Sequence, residues 1–143
     1  MAGTRLFSDL VGRISPNAPG CPQPLVVNAV RDAAIEVCVR TGAWRYQHAD
    51  VTTVDGTEEY AFVPEASAEV DTILGANIGN TPLRIITLEE ALRLYPGYPS
   101  AVAAERATPR YLFSVSPESF HLAPVPDDGA DLVRLFVTQK PTH

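Results

Sequence analysis

The stretch TPRYLFSVSPESFHLAPVPDD, residues 108–128, sets His121 between Phe120 and Leu122. An imidazole acts as a general base when a nucleophile and an orienting carboxylate stand within reach. Strand alternation places His121 on the face of Ser119 and Ala123, expected to be the wetter one, with Phe120 and Leu122 on the other. No Gly-x-Ser-x-Gly or comparable nucleophile pattern surrounds any serine. His48 falls on an alternating stretch and His143 closes the sequence. Each of the three histidines reads as structural or superficial.

The carboxylates offer another chemistry, since two of them facing each other hydrolyse glycosides. Glu58-Glu59 reads instead as hairpin surface, and Glu89-Glu90 as part of a helix cap. Asp127-Asp128-Gly129 is a turn without the ligand spacing of a calcium loop. Cys21 and Cys38 are too few for a disulfide framework or a zinc site, and Cys38 reads as a small buried apolar residue. The scattered glycines form no phosphate cradle. No cofactor, no metal and no catalytic residue are expected. Trp44, Tyr46, Tyr60 and Phe62 crowd one region, as a carbohydrate-stacking platform would, but also as core anchors would. The core reading is preferred, with Trp44 packed between a helical layer and the first hairpin.

The elements that must position these residues follow from periodicity. Leu6, Leu10 and Ile14, flanked by Phe7 and Val11, predict an amphipathic helix over 4–14. The proline-rich SPNAPGCPQP is a loop. A second helix runs from about Pro24 to Arg40, with Val26, Val30, Ala33 and Val37 on one face and Asn28, Asp32, Glu36 and Arg40 on a polar stripe. Gly42 stops it. Asp55-Gly56 predicts a type I′ hairpin joining the run from Trp44 to Val51 with Glu59–Val63. Val70–Ile78 turns at Gly79-Asn80 into Leu83–Ile86. A capping box at Thr87 opens a short helix that ends near Tyr95. Residues 96–109 form a long connection, and Arg110–Val115 pairs with Ser119–Ala123. The last strand, Leu132–Gln139, carries Leu132, Arg134, Phe136 and Thr138 on one face. Pro141 is expected to end the ladder. The expected class is α+β: N-terminal helices (1–43) beside an antiparallel β-sandwich or open barrel (44–139) with a short inserted helix (88–95), and a tail (140–143), all one compact unit.

The formal net charge of −6 disfavours a protein that grips nucleic-acid phosphates. Neither a signal peptide nor a membrane span is expected, so the default is a soluble protein made in the cytoplasm.

Three segments in order, PLVVNAVRDAAIEVCVRTGAWRYQ, VDGTEEYAFVPEASAEVDTILGANIGNTPLRIITLEEA and TPRYLFSVSPESFHLAPVPDD, resemble the head-to-tail adaptor proteins of tailed bacteriophages, relatives of tail tubular protein A. The matching positions are Gly42 and Trp44, Gly75 through Leu83, Thr108 through Tyr111, and Pro124 through Pro126. The resemblance spans about residues 22–140. It implies a structural protein and no enzyme: a ring of twelve-fold symmetry in the virion neck, docked under the portal protein, flanked by neighbouring adaptor subunits and followed by a downstream tail, stopper or nozzle protein. Double-stranded DNA would pass its lumen without specific binding, and no membrane is involved. On this reading the hairpin carrying His121 is scaffold, with His121 an incidental surface residue. Trp44, Pro96, Tyr98, Arg106, Arg110, Lys140 and His143 are the candidate structural or interaction residues. A carbohydrate-binding β-sandwich is the alternative, favoured by an exposed, coplanar Trp44–Tyr46 pair. A small hydrolase would need a cluster that the sequence lacks.

Overall fold

The computed structural model describes residues 7–98, 106–127 and 129–142. Helix α1 (Phe7–Ile14) and a 3-10 turn at Ser15–Asn17 lead into α2 (Gln23–Thr41). Eight strands follow: β1 (Arg45–Gln47), β2 (Val51–Thr52), β3 (Glu59–Ala61), β4 (Ala68–Ile78), β5 (Thr81–Ile85), β6 (Tyr111–Ser116), β7 (Ser119–Ala123) and β8 (Leu132–Pro141). Helix α3 (Leu88–Leu94) sits between β5 and β6. They form one curled sheet in the order β1-β8-β4-β5-β6-β7-β3, with β2 also on β8. The α+β class and the open barrel are as expected.

Local chemistry explains the helix ends. Gly42 adopts φ +58°, and its N–H bonds Cys38 O at 2.9 Å, which closes α2. Thr87 Oγ1 accepts from Glu90 N–H at 3.2 Å while Glu90 Oε2 accepts from Thr87 N–H at 3.3 Å, the reciprocal cap of α3. Glu36 and Arg40 pair at 2.6 Å on the exposed face of α2.

Three strand expectations are corrected. The Asp55-Gly56 turn forms, with Thr57 N–H on Val54 O at 3.0 Å, but its flanking strands do not pair with each other. β1 and β2 align on β8, and β3 aligns on β7. Gly56 alone has positive φ (+74°), whereas a type I′ turn needs it at both central residues. The turn is a corner, held by the Tyr60 hydroxyl, which accepts from Val54 N–H at 3.1 Å and donates to Thr57 O at 2.8 Å. Second, the sheet is mixed, because β5 and β6 run parallel across the α3 crossover. Third, β8 continues through Lys140 to Pro141, opposite Ala68. Gln139 N–H points to Trp44 O on the β1 side, so the Pro141 nitrogen, two residues on, points to that same side, beyond the end of β1. Its missing donor therefore costs no ladder bond, and Thr142 N–H still reaches Ser67 O at 3.1 Å.

Leu112, Phe120, Leu122, Val133, Leu135 and Val137 centre the core inside the curl. A second cluster, Ile86, Ala91, Tyr98, Phe113, Ala123 and Val125, lies under α3 on the opposite face of β6 and β7. Val11, Val26 and Val30 join the two N-terminal helices.

Candidate interaction surface

Eight residues of α1 cannot cover nineteen of α2. Val26 and Val30 are buried as expected, but Ala33 and Val37 are open, and Val37 is 55 % exposed. They border an apolar groove of about 420 Å³ lined by Leu10, Ile14, Ala34, Val37, Trp44 and Pro141. Leu25 and Val39 are exposed as well, Val39 on another side of the helix beside Asp32, Ile35, Glu36 and Arg40. This surface escaped the sequence reading, although Leu25, Ile35 and Val39 lying off the main stripe signalled a helix apolar on more than one side.

Trp44 is half-buried at the rim of this groove, not a core anchor against a first hairpin. Its indole N–H needs an acceptor and finds Glu65 Oε2 at 2.7 Å. The fully buried Gln139 brackets the same residue: in the amide orientation that satisfies both groups, its nitrogen donates to Glu65 Oε2 at 3.1 Å and its oxygen accepts from Glu65 N–H at 3.2 Å. Tyr46 packs against the main core, edge-on to His48. The two aromatics therefore do not form the coplanar platform a sugar would need.

His48 is buried at the seam where the β1 and β3 ends of the sheet approach. Its Nε2 accepts from Val63 N–H at 2.7 Å, so Nδ1 carries the hydrogen, donated to Ala49 O at 2.6 Å. It is a latch across the opening of the barrel.

His121 is no surface residue, although its face of β7 is the wetter one as expected, since His121 is half-buried while Phe120 and Leu122 are fully buried. Its ring stacks on Phe113 with centroids 5.1 Å apart and meets Tyr98 edge-on at 6.3 Å. Nδ1 is buried without a partner among the described residues. Burial pulls the imidazole below its ordinary 6.5, against a smaller upward pull from Glu59, its cross-strand neighbour. Ser119 donates to Glu59 Oε1 at 2.8 Å instead of to the imidazole. Serine, histidine and carboxylate are close, but the serine is bonded to the carboxylate and not to the imidazole. Glu58 has one oxygen buried and without a partner among the described residues, and burial, then Glu59, pushes its carboxyl upward.

The remaining candidates are dispersed. Pro96 is exposed just past α3. Tyr98 is buried, its hydroxyl donating to Leu122 O at 3.0 Å, and burial pushes its phenol far up. Arg106 meets Asp55 at 3.3 Å above Gly56. Arg110 is exposed, with its backbone bridging Ala123 and Arg84. Lys140 lies 3.2 Å from Glu69 and 3.9 Å from Asp71. His143 and residues 99–105 of the long connection lie outside the described residues.

Among the described residues, no group of three or more His, Cys, Asp or Glu side chains is placed to hold a metal ion, and no helix is long and apolar enough to cross a membrane. No curated protein matches the chain. A family model described as SU10 adaptor protein matches residues 5–143, which takes in both helices of the open groove and the whole described sheet. A match of that extent agrees with the phage head-to-tail adaptor resemblance carried by the three quoted segments, and the chain belongs to the SU10 adaptor protein family.

Proposed function

We propose that the protein is a structural component of the virion neck whose copies form a ring under the portal, twelve-fold to match it, extending the DNA channel and offering the tail its attachment point. The observation that carries this reading is the apolar face of α1 and α2, which the described elements leave open. Such a face gains free energy when another surface covers it. A head-to-tail interface closed by rotation covers that face in every copy. The net charge of −6 suits a lumen along which DNA slides without being held. Trp44 belongs to the covered face, while Pro96, Arg106 and Arg110 are exposed contact candidates, with Lys140 near the end of β8; His143 is a further contact candidate. Residues 1–43 and 44–139 act as one compact unit, and neither carries out catalysis.

The same charge favours monomers in free solution, since subunits of −6 repel as a ring closes. Portal contacts supply the extra area and set each copy's register. Mass measurement at micromolar concentration and moderate salt tests this. A monomer that joins purified portal rings is the expected result. A dominant twelve-subunit species without portal overturns the portal-dependent step, and failure to bind portal at all overturns the adaptor reading.

A further inference from the structure

β5 is five residues long beside a β4 of eleven. It pairs with β4 only over Ala76–Ile78 and with β6 only at Arg84 and Ile85. After Ile85 the chain leaves the sheet for the Thr87 cap and α3. β4 and β6 continue, and a cleft of about 550 Å³ opens between them. One wall is 70–73 of β4 and the other 114–116 of β6. β4 is paired on its far side by β8, with bulges between Val70 and Thr72 and between Ile73 and Gly75, and β6 by β7 on either side of a bulge between Phe113 and Ser116, so each turns one edge to the cleft. Among the described residues no strand pairs with either edge there. Unpaired strand edges present backbone N–H and C=O groups that a further strand satisfies. Phe62 and Val70 of the main core form the floor. Three large apolar side chains around it stand open to water: Ile85 at 39 %, Leu88 at 38 % and Val115 at 56 %.

We propose that this cleft receives an extended strand from another protein, with apolar side chains at alternate positions and a Lys or Arg between them. The incoming strand takes the place β5 gives up, antiparallel to β4 and parallel to β6 as β5 is. The walls accommodate roughly four residues, or about 13 Å of strand. Alternate side chains reach Phe62 and Val70 and cover Val115, while the others face the rim. The rim selects charge, because Lys140 is shared between the carboxylates of Glu69 and Asp71. One cation between two anions leaves negative charge for the arriving Lys or Arg. This surface is distinct from the α1–α2 groove and does not rest on the ring.

The probe is a capped hexapeptide, Thr-Val-Lys-Val-Thr-Val, titrated into the isotope-labelled full chain and followed by amide chemical shifts. The expected result is saturable change confined to residues 70–75 and 113–116, with slowed amide exchange there. Methylating alternate backbone nitrogens of the peptide abolishes it. Val115→Lys, at an exposed position, weakens binding by about tenfold through lost apolar contact and like charge. Absence of change at millimolar peptide, equal binding by the methylated peptide, or changes centred on α1 and α2 each overturn the proposal.

Discussion

His48 and His121 differ in what their ring nitrogens meet. Both nitrogens of His48 are bonded, and Val63 N–H depends on one of them. His48→Leu strands that N–H, and the expected loss is about 1–3 kcal/mol, read from the urea midpoint. His121 has a buried, unpartnered Nδ1 and an imidazole pulled below 6.5 by burial. The fold therefore prefers the neutral ring, and the unfolded chain takes the proton first as pH drops. The contribution is complete above about 6.5 and is lost as pH falls through the lower folded value. Glu58, raised from 4.5, works in the opposite sense, its contribution being lost as pH rises through its folded value. His121→Phe should flatten the decline in melting temperature just below pH 6.5, and an unchanged profile would refute the assignment. At Trp44, the Phe variant keeps most of the packing but removes the bond to Glu65, with an expected cost of about 1 kcal/mol. Neither histidine's setting was legible in sequence. Val63 lies fifteen residues from His48, and Tyr98 reaches His121 from the long connection.

Elements whose signals are local were legible: α2 with its Gly42 stop, the Thr87 cap, and the hairpins at Gly79 and Pro117. Thr87→Ala should cost about 1 kcal/mol through the lost cap, measurable as a lower unfolding midpoint. Pairing between distant segments was not legible. The alternating runs either side of Asp55-Gly56 identify strands but not their partners, and the partners turned out to be β8 and β7. The parallel β5–β6 pair was implicit in the order strand, helix, strand, which calls for a crossover. Pro141 misled because its effect depends on which edge its nitrogen faces. Gln139 and Thr142 amides, bonded to Trp44 O and Ser67 O, should exchange slowly in the free chain. Fast exchange at both would show that the end of β8 docks only in the assembly.

For the molecule as a whole, the division of labour is between a sheet with two cores and a helical layer with one small one. The resemblance and the family match agree on what the chain belongs to, but the open apolar groove was hidden because amphipathic spacing cannot show how much of α2 the shorter α1 covers. Val37→Lys separates stability from assembly. At 55 % exposure the change should leave the melting temperature within about 0.5 kcal/mol equivalents of the parent. Attachment to portal rings should fall sharply in a sedimentation assay. Normal attachment by a folded Val37→Lys protein would remove α2 from the interface.

β8 bonds to β1, β2 and β4 at once, and it follows β1 in the chain by roughly ninety residues. On the ribosome, three strands therefore emerge before the one that joins them. For β1 the wait at ordinary elongation rates is roughly five to eighteen seconds, and the edges of all three that face β8 stay unpaired until it arrives. Folding of the sheet is thus deferred to the close of this stretch of synthesis, when β8 slides between partners already made. A nascent chain stalled before residue 132 should resist proteolysis in α2 no better than an unstructured peptide, and one stalled with 141 clear of the exit tunnel should be protected throughout β4.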